Sequence, residues 1–462
     1  MRAILKDTSI YAIGDMLTKG IGFFAILFYT HYLSQSEIGT YGYILVLVGF
    51  VNTFLILGAD NAYARYFFEF KTHHERQVLT TTLFLWFGVW FVTAIILPVL
   101  YSEQISKLLL KTDSYSFAFM MAFLSLPLRL FSSMSNQALR NEFKTKQFVL
   151  YNFFTAIITV GSAFLLLNYS SYGVSSIFIG MIMGDIIMLP FRFYAIKELL
   201  IAEVDFSIIK KILVYGVPFI PASVAYWIFS SADRVMLEHM SGLESVGIYT
   251  VAVSLSVVMS LVAGAIGQAW SPHAIKAYEE DPEDAKILYI KFLNVLIAIG
   301  LFIILCASLV GKELIELFFP PNYNHVFYPL LFLLIGIGFQ ITTQVTAAGI
   351  SIAKKTIYFL YITFFVAVVN IGLNYLLIPY FQETGASIAT AFAYMLLTFI
   401  YAFISQNIFK LQYNKKTIVI SLSGLIVIIS MSFLPAWIRL LLFIGILYMV
   451  YQYRQKILEA IK

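Results

Sequence analysis

The sequence predicts an all-α integral membrane protein of about fourteen transmembrane helices, built as two six-helix lobes of a parallel internal repeat plus two C-terminal helices. Of the 462 residues, 60% are hydrophobic and only 12% are charged. Soluble domains carry roughly a quarter charged residues, so this composition excludes an ordinary water-soluble globule. Many uncharged stretches also reach the ~20 residues that a membrane-spanning helix needs.

An internal repeat relates the two halves of the chain. The segment SEIGTYGYILVL at residues 36–47 returns as ESVGIYTVAVSL at residues 244–255, which matches Gly39 with Gly247. Two further glycine matches follow in the same order: Gly161 with Gly372, and Gly173 with Gly385. Duplicated bundles of apolar helices are typical of transporters, whose substrate sites lie between the repeats.

Polar loops and Pro or Gly residues separate the apolar runs into successive spans. The predicted spans are residues 10–32, 38–60, 78–101, 115–139, 147–168, 173–196, 210–231, 246–270, 287–310, 326–349, 356–378, 385–409, 416–434 and 436–454. They give an N-terminal lobe at 1–205, a C-terminal lobe at 206–412 and two additional helices within 413–462. Only Pro435 divides the last two spans, so a twelve-helix chain with a re-entrant hairpin at its end is the alternative.

The distribution of basic residues predicts the orientation. Most of the 30 Lys and Arg residues, Arg192 among them, fall in the even-numbered loops or near the two ends. Basic residues are retained on the cytoplasmic side, so both termini should face the cytoplasm. The net charge of +5 follows from this sorting and does not indicate nucleic acid. A single cysteine and histidines without ligand spacing predict no metal site, and no cofactor is expected.

Charged residues inside spans are the first candidates for function, since each costs about 2.5–3.5 kcal/mol at mid-bilayer on insertion scales. In the first span, Asp15 and Lys19 are four residues apart and share one helix face. They form either a salt bridge that locks the bundle or a pair in which Asp15 couples transport to an ion and Lys19 contributes positive charge to a cavity.

The fourth span is interrupted in a way that points to a binding site. Pro127 breaks the helix, and Arg129 and Asn136 follow it together with several serines. In the second repeat, Gln340 falls on Arg129, and Gln344 follows one turn later. Matching interrupted segments in the two halves indicate a transporter site, whereas the alternative is that these side chains tie helices together by hydrogen bonds.

Three further charged residues complete the candidate set. Asp185 in the sixth span is expected either to pair with Arg129 or Lys19 or to serve as a second titrating carboxylate. Asp233 and Arg234 end the predicted seventh span and are candidates for an outward gate.

Several short motifs resemble a known family. They are SIYAIG at residues 9–14, THYLSQSEIGTY at 30–41, YGVPFIP at 215–221, SSADR at 230–234 and GIY at 247–249. The resemblance is to bacterial oligosaccharide flippases, the polysaccharide transport branch of the multidrug, oligosaccharidyl-lipid and polysaccharide exporter superfamily. It covers residues from about 5 to 410.

The resemblance implies a V-shaped core of two six-helix lobes in the bacterial inner membrane. It also implies transfer of undecaprenyl-pyrophosphate-linked oligosaccharide across that membrane for O-antigen, capsule or exopolysaccharide. Basic residues then hold the pyrophosphate, and Lys19 and Arg129 are the intramembrane candidates. No GxxxxGK[ST] motif is present, so a proton or sodium gradient is the expected energy source. Other polysaccharide assembly proteins are expected as further partners.

Two other functions remain open from the sequence. A small-molecule cation or drug antiporter would favour a cavity rich in carboxylates and aromatic rings, and the Lys19 and Arg129 pair weighs against it. A membrane polysaccharide polymerase or ligase would carry a large external loop with paired carboxylates. The longest external segment, at about 101–115, is short, so no enzyme activity is predicted.

Overall fold

The protein is all-helical in the computed structural model, which describes the backbone of residues 2–355 and 357–461. Side chains are described over the same ranges apart from residues 2–9, 11–12, 268–269, 271–272, 450–451 and 453–461. Eleven helical stretches in this part of the chain are long and apolar enough to cross a membrane. The predicted fold class is therefore confirmed, and the protein is a multi-pass membrane protein.

The chain forms two compact units, Met1–Ser254 and Leu255–Lys462. Unit 1 contains α1 (Arg2–Tyr32), α2 (Gln35–Ile56), α3 (Ala59–Glu69), α4 (His73–Leu100), α5 (Ser102–Leu110), α6 (Ser116–Asn141), α7 (Thr145–Tyr169), α8 (Ser175–Ile196), α9 (Ser207–Gly216), α10 (Ile220–Ser241) and the first turns of α11 (Leu243–Glu280). Unit 2 contains the rest of α11, α12 (Pro282–Phe318), α13 (Phe327–Thr346), α14 (Ala348–Ile352), α15 (Ile357–Gln406), α16 (Lys415–Met431) and α17 (Ala436–Ile461).

Local sequence signals explain where several helices begin and end. Ser34 and Thr72 open α2 and α4 with capping boxes, each completed by a Glu at the third helical position. Gln382, at a φ of 49°, divides α15 into two helical stretches. The twelve predicted spans up to residue 409 thus correspond to ten apolar stretches and a divided eleventh. The total of fourteen stays a prediction, because α16 has only 17 residues.

Within unit 1, α8 packs against α6 and α7, and α1 packs against α7. In addition α10 packs on α2, and α9 packs on α3 and α4. These contacts explain why unit 1 extends beyond residue 205. The predicted lobes at 1–205 and 206–412 are not tested by this division and stay a prediction.

The repeated segment lies where α2 and α11 cross. A Cβ on Gly39 would overlap the Leu243 carbonyl oxygen, and one on Gly247 would overlap the Gln35 carbonyl oxygen. The backbone nitrogen of Gly247 is 3.1 Å from the position of a Gly39 Cβ. Equivalent glycines therefore allow the first turns of the two helices to touch, which larger residues would prevent.

Candidate functional site

A cavity of about 500 Å³ lies within unit 1. It is lined by α1, α6, α7 and α8, with single residues from α2 and α11. The charged and polar residues in its wall are Thr18, Tyr29, Tyr41, Arg129, Ser132, Ser133, Asn136, Asn152, Thr155, Thr159, Asp185, Arg192 and Ser254. The fold thus brings together three residues singled out from the sequence: Arg129, Asn136 and Asp185.

Arg192 is the most deeply buried cation of this cavity, at 1% exposure. Its Nη1 donates to Asn136 Oδ1 at 2.7 Å, and its Nη2 donates to Asn152 Oδ1 at 3.1 Å and to Thr155 Oγ1 at 3.2 Å. None of the ion pairs among the described side chains includes it. Its charge is therefore held in place by neutral groups and is not neutralised by a paired carboxylate.

Sequence reasoning missed Arg192 and counted it as a cytoplasmic loop residue. The error has a physical cause, because Arg192 lies four residues before the end of α8, where an arginine usually extends to the membrane surface. One signal was available: Arg192 follows Asp185 by seven residues, so both lie on one helix face. An intramembrane carboxylate on that face marks it as the side turned toward the bundle interior.

Asp185 lies beside both arginines of the cavity and is 5% exposed. Ser132 Oγ donates to its Oδ1 at 2.7 Å. The Arg129 and Arg192 guanidinium groups are close enough to interact with this carboxylate electrostatically. The expected direct pairing with Arg129 or Lys19 does not occur among the described side chains, since the hydrogen-bond partner of Asp185 is a serine.

Arg129 is the exposed cation of the same cavity. It follows Pro127, which lies inside α6. The helix is continuous from Ser116 to Asn141, so the interruption predicted at Pro127 does not occur. Its Nη1 contacts the sulfur of Met181 at 3.6 Å, a weak acceptor that leaves most of the guanidinium available. Arg129 is therefore open to a ligand in the cavity, whereas Arg192 is fixed by its surroundings.

Asp15 and Lys19 form an ion pair at 2.8 Å on α1, with side chains 55% and 47% exposed. Neither residue lines the cavity, although Thr18, between them in the chain, does. The geometry matches the salt-bridge alternative, and the assigned roles in ion coupling and substrate binding stay predictions.

Asp233 and Arg234 lie inside α10, which continues to Ser241, and not at a helix end as the sequence suggested. Asp233 is buried and accepts a hydrogen bond from the Tyr249 hydroxyl at 2.5 Å. Tyr41, which the sequence repeat matches with Tyr249, lines the cavity and lies near both Arg129 and Arg234. The gate role of the pair stays a prediction.

Gln340 and Gln344 lie on α13 in unit 2. Gln344 is exposed and packs against Gly267, where its Nε2 is 2.8 Å from the position of a Cβ on that glycine. Neither glutamine lines the cavity that lies within unit 2. Their predicted role in substrate binding therefore rests on the repeat alone.

The fold and the polar cavity within the helices define the class as an all-helical, multi-pass membrane protein. The structure is similar to the lipid II flippase MurJ in its inward closed conformation, with a TM-score of 0.74, 17% identity and coverage of 97% of this chain and 99% of that one. It is also similar to an inward-facing multidrug resistance MATE family transporter of the MOP superfamily, with a TM-score of 0.70, 14% identity and coverage of 84% and 94%. At these identities the likeness shows the fold alone.

The chain matches the model of the family described as polysaccharide biosynthesis protein over residues 30–327, and it belongs to that family. It is 25% identical over 211 residues to the capsular polysaccharide biosynthesis protein CapF of Staphylococcus aureus, covering 43% of this chain and 51% of that protein. It is 26% identical over 240 residues to the uncharacterized membrane protein MJ1068 of Methanocaldococcus jannaschii, covering 49% and 46%. The chain thus spans about half the length of the curated relatives it matches.

Proposed function

We propose that this protein is a flippase that moves undecaprenyl-pyrophosphate-linked oligosaccharide units across the bacterial cytoplasmic membrane for surface polysaccharide assembly. The observation that carries the proposal is the cavity of unit 1, where Arg129 and Arg192 outnumber the single carboxylate, Asp185. Membership of the polysaccharide biosynthesis family and the flippase-like fold support the same function. A surplus of cations favours an anionic substrate over the organic cation of a drug antiporter.

The two arginines have different roles in binding a pyrophosphate. Arg192 supplies a fixed positive charge because three neutral acceptors hold its guanidinium. Arg129 is exposed to the cavity and offers a planar fork of donors that suits two phosphate oxygens. The lipid tail stays in the bilayer, so only the charged and sugar portions need this polar enclosure.

Energy for the cycle comes from an ion gradient in this proposal, with Asp185 as the coupling carboxylate. Asp185 lines the cavity and lies close to the charges of both Arg129 and Arg192. Asp15 is not among the residues that line the cavity. One charge that crosses 100 mV supplies about 2.3 kcal/mol. Protonation of Asp185, or sodium bound to it, changes the net charge that the pyrophosphate meets and so links ion movement to substrate affinity.

The test is complementation of a deletion strain, followed by lipid extraction. The deletion strain should accumulate undecaprenyl-pyrophosphate oligosaccharide on the cytoplasmic face of the membrane. If this lipid does not accumulate, the proposal is contradicted. Arg129→Ala should abolish flipping, since a charged hydrogen bond is worth about 1.5–3 kcal/mol, or roughly 10 to 150-fold. Arg129→Lys should keep part of the activity. The control is Arg140→Ala, which removes an exposed arginine of α6 outside the cavity.

Ion coupling has a separate test. Asp185→Asn keeps an acceptor for Ser132 but removes the charge, so flipping should lose its dependence on the proton or sodium gradient. Asp15→Asn is the matched variant outside the lining and tests the alternative assignment from the sequence. Unchanged gradient dependence in Asp185→Asn would reject the coupling role while leaving the substrate proposal intact.

A further inference from the structure

A second cavity, of about 490 Å³, lies within unit 2 and takes no part in the proposed flipping site. Its walls are α12 from Leu293 to Ile304, α13 from Ile335 to Thr346, the end of α15, and the start of α16. The lining is aliphatic and aromatic over most of its length, with no charged residue. At 1.5 Å per residue the α12 wall is about 16 Å long, which is half of the ~30 Å hydrocarbon core and so matches a chain of one leaflet.

Three polar side chains of this cavity lie together at one end, while Thr342, Thr398 and Ser421 lie further along it. Thr346, Gln406 and Tyr413 lie at the ends of α13 and α15 and just before α16. The Tyr413 hydroxyl and Thr346 Oγ1 are buried and have no hydrogen-bond partner among the described residues. Burial raises the pKa of Tyr413 to about 12, so the hydroxyl remains protonated as a donor. Unsatisfied buried donors cost about 1–3 kcal/mol each, which a ligand acceptor would recover.

Lysines surround this same end. Lys291 precedes the first lining residue of α12 by two positions, and Lys410, Lys415 and Lys416 flank Tyr413. All four are exposed, and none is in an ion pair with a described residue. The acidic run that ends at Asp284 lies about 10 Å further along α12, by the helical rise. The rim of the cavity is therefore positively charged.

We propose that this cavity binds one acyl chain of an anionic glycerophospholipid as a resident lipid of unit 2. The apolar length, the polar end and the lysine rim match the successive parts of such a lipid. The chain fills the apolar length, the ester carbonyl accepts from Tyr413 or Thr346, and the phosphate meets the lysines at the rim, as anionic headgroups do at cytoplasmic basic clusters. A polyprenyl pyrophosphate fits less well, because it has no ester carbonyl to meet the neutral donors.

The experiment measures phospholipid bound to the purified full chain by native mass spectrometry, with added phosphatidylglycerol or phosphatidylcholine as probes. The wild type should retain about one phosphatidylglycerol per chain. Ala402→Phe, which fills the cavity, should lower that occupancy at least fivefold. Ala298→Phe is the matched control, because Ala298 is exposed on α12 beside the lining residue Ile297. Equal occupancy in Ala402→Phe and the wild type would overturn the proposal.

A second variant keeps the test valid if Ala402→Phe fails to fold. Ser421 lines the cavity and donates only to Thr417 of its own helix, so Ser421→Leu adds volume without breaking a contact between helices. Its occupancy should fall in the same direction by a smaller factor. Retention of a polyprenyl lipid in place of phospholipid would reject the stated occupant.

The charged rim is tested by the double variant Lys415→Gln with Lys416→Gln. It should lower the preference for phosphatidylglycerol over phosphatidylcholine by several-fold without removing bound lipid. The double variant Lys210→Gln with Lys211→Gln, in exposed positions of unit 1, is the control. No change in lipid preference would reject headgroup recognition. Flipping activity is not a readout here, so failure of this proposal is separate from failure of the proposed function.

Discussion

The cavities of the two units have nearly the same volume, about 500 Å³ in unit 1 and about 490 Å³ in unit 2, but opposite chemistry. The first has two arginines, an aspartate and several amides and hydroxyls in its wall. The second has no charged residue in its lining. One is bounded by α6 and the other by α13, which the sequence repeat predicts to be equivalent. Two cavities of similar size therefore differ because side chains make one polar and the other apolar.

The largest expected effect comes from Arg192→Ala, which removes the fixed cation that distinguishes the first cavity. Asn136 Oδ1 loses the donor described above, which costs about 1–3 kcal/mol of folding free energy. Complementation should be lost, at least as completely as in Arg129→Ala. Arg192→Lys should fold but restore only part of the activity, because an ammonium lacks the planar fork that reaches several acceptors.

Thermal unfolding in detergent separates the two consequences of the Arg192 change. Lys197→Ala is the control, since Lys197 follows the end of α8 and lies over the Tyr194 ring, outside the cavity. Full complementation by Arg192→Ala would mean that the buried charge has only a structural role. The difference in polarity between the two cavities would then not be needed for function.

An intermediate effect is expected when a carboxylate is added to each cavity in turn. Thr342→Asp places a charge in the apolar lining of unit 2 and should destabilise the fold by about 2.5–3.5 kcal/mol. Ser133→Asp places one in the unit 1 lining, four residues from Arg129, where the two can pair. The unfolding temperature should fall clearly for Thr342→Asp and little for Ser133→Asp. Equal losses would show that the two environments are not electrostatically different.

The smallest effect is expected where the repeated segments meet, at Gly39 and Gly247. Gly39→Ala adds a Cβ against the Leu243 backbone, so overpacking should cost about 1–3 kcal/mol. Gly161→Ala is the matched control on α7, where a Cβ meets no heavy atom within 4 Å. Its unfolding temperature should stay the same or rise, because Ala favours helix over Gly by about 1 kcal/mol. Similar behaviour of both variants would contradict a tight crossing at Gly39.

The sequence predicted much of the fold because spanning helices follow from apolar length alone. The observed helices coincide with the predicted spans to within a few residues in most cases. Differences arose where a helix continues into polar sequence, as α10 does past Asp233 to Ser241. They also arose where backbone geometry breaks a run, as at Leu57 and Gly58, whose positive φ values separate α2 from α3. Hydropathy does not detect either feature.

The candidate site was predictable only in part. Arg129, Asn136 and Asp185 attracted notice as polar residues in mid-span, and they share one cavity. Lys19 attracted the same notice, yet it pairs with Asp15 outside the lining. Whether such a residue lines the cavity depends on how its helix is rotated about its own axis. That rotation is set by contacts with helices that are distant in sequence. Arg192 was not predicted as a site residue, because its position near the end of a helix is typical of arginines at the membrane surface.

The sequence by itself determined the membrane-spanning helices, the repeat and the presence of a few expensive intramembrane charges, because each follows from local hydropathy and spacing. Only the tertiary structure decided that Arg192 is held by Asn136, Asn152 and Thr155, and that Gly39 meets Gly247 where α2 and α11 cross. These are contacts between helices far apart in the chain. Packing selects them, since a buried charge or a close backbone approach is stable only where the partners from other helices fit.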